Sequence, residues 1–157
     1  IAGGKWTTYR KMAEDTVDQA ALVAGLDERE CVTRDLHIHG HHHNADQFGS
    51  LRVYGSDAPA IRSLLRENPE LDRPLHPAHS VTAGEVVWAA RHEMARTVED
   101  FLSRRSRLLL LDARASIEAA PEVAALLANE LGRDEAWQQS QVDEYRRLAK
   151  GYLIHEN

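Results

Sequence analysis

Apolar residues recur at helical spacing along most of this chain, and glycine and proline cut the pattern into three zones. Residues 1–25 open on Gly3-Gly4 and carry a stripe of Tyr9, Met12, Ala13, Thr16, Val17, Ala20, Val23 and Ala24. That is the i, i+3, i+4, i+7 spacing of an amphipathic helix, and taken alone it predicts a core-packing face. Thr7 or Thr8 can serve as N-cap by accepting from a free first-turn amide. Gly25 stands where a left-handed residue closes such a helix.

Residues 26–81 hold four of the five prolines and show one clear element. It begins near Ser56 or Asp57, has Pro59 in its first turn, lines up Ile61, Leu64 and Leu65, and stops at Asn68-Pro69. The remainder of the zone reads as loop. Residues 82–157 return to helical periodicity, interrupted at Pro121, Gly132 and Gly151. Thr82 with Glu85 is a capping box, and Thr97 with Asp100 is a weaker form of it. Asp112 can start a helix, Pro121 suits the first turn of another, and Asp134 can cap the last. Val87, Ala90 and Met94, then Val123, Leu126, Leu127 and Leu131, then Val142, Tyr145, Leu148, Ala149 and Tyr152 supply three core faces. The expected fold class is all-α, a compact array of about five to six helices.

Composition narrows the function classes. A length of 157 residues allows one single-core domain. With 43% hydrophobic and 28% charged residues, the chain has the balance of a folded protein. The net charge of -6 argues against nucleic acid as a partner, because phosphate neutralisation needs a basic surface. Cys31 is the sole cysteine, so no intrachain disulfide can form, which points to a reducing compartment. Apolar runs such as Val86 to Ala90 and Leu108 to Leu111 are too short to span a bilayer. Residue 1 is Ile and no signal segment follows it, so the chain is expected to be a piece of something longer.

Three constellations could carry chemistry. His37-Ile38-His39-Gly40-His41-His42-His43 is dense in imidazole, the commonest nitrogen ligand of zinc, copper and nickel. Its setting beside Gly40, Asn44 and Gly49 reads as a solvated loop, with a metal site on His39, His41 and His43 as the alternative. Arg91, Arg96, Arg104, Arg105, Arg107 and Arg114 are interleaved with Glu85, Glu93, Glu99, Asp100 and Asp112, a pattern that favours a salt-bridged packing network over a phosphate groove. The opening Gly3-Gly4-Lys5-Trp6-Thr7-Thr8 joins a permissive backbone turn to a helix N-terminus, a lysine and two hydroxyls. Such a turn can receive an anion or a polar carbonyl. No GxGxxG or Walker spacing occurs in the chain.

GGKWTTYRKMAEDTVD (Gly3 to Asp18) resembles the closing segment of the flavin domain in aerobic, FAD-dependent glycerol-3-phosphate dehydrogenases. EVVWAARHEMARTVEDFLSRRSRLLLLDARA (Glu85 to Ala115) resembles the helical C-terminal domain of the same family. The YGSDAP segment at Tyr54 to Pro59 and the LHP segment at Leu75 to Pro77 follow the family's order. The resemblance implies that residues 1–25 are the last turn and helix of a truncated FAD-binding domain and that 26–157 form the helical C-terminal domain. It implies a parent enzyme that oxidises sn-glycerol 3-phosphate to dihydroxyacetone phosphate, passes a hydride to FAD and sends electrons to quinone.

Carried over by residue, the resemblance puts Gly3 and Gly4 in a turn beside the isoalloxazine. Lys5 would lie in the substrate pocket, toward either the phosphate or the reacting hydroxyl, and Thr7 and Thr8 would open a helix facing the pyrimidine ring. No catalytic residue is expected within 82–157. The implied partners are the upstream FAD-binding domain, glycerol 3-phosphate, quinone and a second copy in a homodimer. The implied location is the cytoplasm, with the full enzyme peripheral on the inner face of the cell membrane. The isolated chain is expected neither to retain FAD nor to turn over. A stand-alone helical interaction module with a His-rich metal-binding loop is the competing reading. Within the helical domain of the dehydrogenase reading, Trp88, Trp137 and Tyr152 are candidates for contacts with the flavin domain, the first helix or a dimer partner, and equally for core positions.

Overall fold

The computed structural model describes residues 2–153 and divides the chain into two compact units, residues 1–41 and 42–157. The described residues form helices and turns with no strand, only an isolated antiparallel bridge between Pro74 and Thr82. The all-α expectation holds.

The first unit is built on one long helix, α1 (Tyr9–Ala24), entered through a single 3-10 turn at Trp6–Thr8. Gly25 closes it at φ 65°, in the left-handed conformation the sequence suggested. The N-terminal cap differs from expectation. Thr8 makes no side-chain cap to α1; its hydroxyl turns back, accepting from the Lys5 amide at 3.1 Å and donating to the Lys5 carbonyl at 3.0 Å. The apolar stripe also differs, since α1 buries no residue, and Tyr9, Val17, Leu22 and Val23 are all exposed. Spacing specifies a face, but it does not supply the surface that covers it.

The second unit carries α2 (Ala58–Glu67), α3 (Ala83–His92), α4 (Leu108–Leu111), α5 (Ala113–Leu131) and α6 (Glu135–Lys150). Its main core gathers Val86, Ala89, Val98, Phe101, Leu102, Leu108, Val123, Leu127 and Tyr145, with α5 packed against α3 and α6. A satellite cluster of Phe48, Leu51, Ala58, Ile61 and Trp88 sits under the segment before α2. Residues 45–57, expected as loop, wind into successive 3-10 turns broken at Gly49 and Gly55. Their φ values of 63° and 52° suit glycine.

Asp112 and Asp134 cap α5 and α6 as expected, accepting from Ala115 N at 3.0 Å and Trp137 N at 2.9 Å. Pro121 does not open a helix; α5 runs through it without a break. Proline there forfeits one backbone hydrogen bond, at a cost of about 3 kcal/mol. The burial of Ala119, Ala120, Val123, Ala124 and Leu127 on one continuous stripe outweighs that loss. The Thr97/Asp100 box is real, with Asp100 Oδ2 accepting from Thr97 N at 3.0 Å and Thr97 Oγ1 accepting from Asp100 N at 3.0 Å. The helix it starts relaxes into a π turn at Asp100–Arg105.

The arginine stretch behaves mainly as a packing network. Arg91 forks onto Glu130, tying α3 to α5 through 2.6 and 2.9 Å hydrogen bonds. Arg104 pairs with Asp100 and Glu99, and Arg105 donates to the Glu93 carbonyl across the turn that follows α3. The segment before α3 is strapped along α5 and its N-cap by three polar rungs. Arg73 meets Glu122, His76 Nε2 lies 3.1 Å from Glu118, and His79 Nε2 lies 3.1 Å from Asp112.

Candidate functional site

The chemistry-bearing turn lies at the start of the first unit. Gly3 and Gly4 take φ values of 83° and 98°, a region that L side chains rarely adopt. A Cβ on Gly4 would collide with Met12 Sδ, so the backbone here lies directly against the Met12 side chain of α1. Around Gly3 a Cβ would meet nothing within 4 Å, which leaves that stretch of backbone open to approach.

Lys5 follows in extended conformation (φ -125°, ψ 156°), its backbone held by Thr8. The next amides, those of Trp6 and Thr7, are the first of the 3-10 turn and have no acceptor within it. The turn and α1 together line a cleft of about 550 Å³. Its walls are Trp6, Tyr9, Met12 and Val17, with Trp6 and Tyr9 stacked at 5.2 Å between ring centroids. The turn therefore offers polar groups at one end of an apolar, aromatic surface.

All five sequence-derived site residues, Gly3, Gly4, Lys5, Thr7 and Thr8, fall in this one turn, and all are exposed. Thr8 is committed to the Lys5 backbone, which leaves Thr7 as the hydroxyl free of that clasp. Sequence reasoning missed Trp6, Tyr9 and Met12 as cleft walls. Trp6 and Tyr9 are three residues apart, a spacing that places two aromatic side chains on one helix face. Farther along α1, Glu14 accepts from Lys11 and then from Arg10, and these two cations hold its carboxyl down at about 2.

The histidine run spans both units. His37 and His41 stack at 4.0 Å in the first and His39 is exposed there, while His43 belongs to the second. In the second unit His42 Nδ1 accepts from Asn44 N at 3.0 Å, and its ring meets Phe48 edge-on. Of the aromatic contact candidates, Trp88 is buried in the satellite cluster, Trp137 packs partly against the main core and Tyr152 is exposed.

Residues 1–138 match the model of a family described as the C-terminal domain of alpha-glycerophosphate oxidase. The chain belongs to that family. A probable mitochondrial glycerol-3-phosphate dehydrogenase of Caenorhabditis elegans is 35% identical over 93% of this chain and 23% of its own length. The mitochondrial glycerol-3-phosphate dehydrogenases of Arabidopsis thaliana and Saccharomyces cerevisiae are 29% and 28% identical over 100% and 98% of this chain. No solved structure matches. The chain spans only 23% to 30% of the length of these relatives, so it corresponds to the C-terminal portion of a glycerol-3-phosphate dehydrogenase.

Proposed function

We propose that this chain is the C-terminal portion of an FAD-dependent enzyme that oxidises sn-glycerol 3-phosphate to dihydroxyacetone phosphate and delivers electrons to quinone. The family match over residues 1–138 carries the reading. The opening turn fits a flavin: Gly3 leaves room for a planar ring against the backbone, and Trp6 and Tyr9 give apolar walls. The first-turn amides of Trp6 and Thr7, which have no acceptor within the turn itself, suit the polar edge of such a ring. FAD, when bound, supplies the hydride acceptor. Lys5 sits beside this surface and complements a dianionic phosphate or polarises a hydroxyl.

The second unit contributes packing to the upstream flavin domain and supports a homodimer, and its own residues do not touch the reacting atoms. The enzyme works from the cytoplasmic side, peripheral to the membrane. The chain alone binds no FAD and does not turn over. The test is to purify the protein with the coding sequence upstream of Ile1 included. Dihydroxyacetone phosphate should then form from glycerol 3-phosphate in the presence of a soluble quinone, and not with the 157-residue chain. Failure of the longer protein to bind flavin would overturn the reading.

A further inference from the structure

Four consecutive leucines, Leu108 to Leu111, divide in two. Leu108 and Leu109 are 1% and 3% exposed in the main core, whereas Leu110 and Leu111 are 64% and 75% exposed. The short helix cannot rotate to bury the second pair. Its N-terminus is fixed by Arg107, held at φ 56°, and its C-terminus by Asp112, which caps α5 and meets His79. Single exposed leucines are ordinary. Here two adjoin a cleft of about 440 Å³ that also takes in Tyr152, itself 51% exposed, and Leu153. Arg107 and Arg114 flank the patch, are exposed, and form no ion pair within the described residues.

We infer that the Leu110, Leu111 and Tyr152 face is where the flavin-binding portion of the parent enzyme docks on this domain. The inference rests on the reading under Proposed function and assigns the surface it uses. Some three-quarters of the length of the relatives lies outside this chain and has to meet this domain somewhere. A concave site suits an apolar side chain entering from another protein surface better than a flat lipid plane. Burying two leucines is enough to join an interface but less than stable membrane anchoring takes. The unpaired arginines at the rim call for carboxylates on the partner surface.

The test compares hydrogen exchange in the whole protein with that in the 157-residue chain. Amides of residues 108–114 should exchange at least about tenfold more slowly in the whole protein. Leu110→Glu with Leu111→Glu should remove that difference while leaving the melting temperature of the short chain unchanged, and Arg114→Glu should reduce it. Equal exchange in the two proteins overturns the inference. Protection of the short chain that grows with its own concentration assigns the face to a second copy instead. Protection that arises only with phosphatidylglycerol vesicles assigns it to the membrane. Flavin absorbance of the whole protein is read on the same sample, so loss of the parent reading is distinguished from loss of the docking face.

Discussion

The Tyr54 hydroxyl donates to Glu85 Oε1 at 3.0 Å, joining the 3-10 turns before α2 to the N-terminus of α3. The same carboxylate accepts from Thr82 N at 2.7 Å and from Thr82 Oγ1 at 3.1 Å through its other oxygen. Glu85 is thus a capping residue that is also a buried tie between two segments, only 5% exposed. Burial pushes its carboxyl above the usual range against the three hydrogen bonds that favour the ionised form, and burial raises the Tyr54 phenol as well.

That arrangement makes stability depend on pH in a defined direction. An acid whose folded pKa is raised binds its proton more tightly in the native state, so its contribution is full below the unfolded pKa. It is lost as pH rises through the folded value. Glu85→Gln should therefore flatten the fall in stability as pH rises above the ordinary carboxylate range, and cost less than about 1 kcal/mol at neutral pH, since the amide can keep both partners. Glu85→Ala strands the Thr82 amide and the Tyr54 hydroxyl and should cost about 2–3 kcal/mol. Urea titrations of the three proteins across pH measure both effects.

At the other end of the strap, Asp112 titrates with the opposite sign. Hydrogen bonds from Ala115 N and then from His79 hold its carboxyl below the ordinary value. Its contribution is present above the unfolded pKa and lost as pH falls through the folded one. Asp112→Ala should lower the melting temperature at neutral pH more than Asp112→Asn, because asparagine keeps a cap acceptor. Both variants should erase the acid-side loss, as read by thermal melts over an acid pH series.

Phe101 is completely buried where the π turn faces the main core. Phe101→Ala should cost about 3–5 kcal/mol, and Leu127→Ala about 2–5 kcal/mol. Both are measurable as shifts of the denaturation midpoint. A loss below about 1 kcal/mol at either site would contradict the packing described.

Much of this architecture was legible in the residues. The stripe Val123, Leu126, Leu127 and Leu131, the caps at Asp112 and Asp134 and the stop at Asn68-Pro69 are local signals, and local structure follows them. The failures are non-local. Pro121 reads as a helix start until a buried stripe on both sides of it is known to be continuous, and the turns of residues 45–57 depend on Phe48 and Leu51 finding Ile61 and Trp88. The strap rungs join residues 33 to 49 positions apart, which no periodicity reports. In the candidate site, Gly3, Gly4 and Lys5 were evident from composition, whereas the apolar walls became visible only when α1 was seen to leave its stripe uncovered.

Lys5 stands at the polar end of the cleft, and its charge should matter only in the whole enzyme. Lys5→Gln should lower kcat/KM for glycerol 3-phosphate at least about tenfold, the scale of one charge-assisted hydrogen bond. A rise confined to KM assigns the lysine to the phosphate, and a fall in kcat assigns it to the reacting hydroxyl. An unchanged kcat/KM would remove Lys5 from the site.

Flavin reduction by substrate is tested most directly by anaerobic addition of sn-glycerol 3-phosphate to the purified whole protein while the oxidised flavin band is monitored. That band should bleach stoichiometrically with formation of one dihydroxyacetone phosphate per flavin, and the 157-residue chain should show no band at all. A whole protein that carries flavin yet is not bleached by glycerol 3-phosphate would contradict the proposed function.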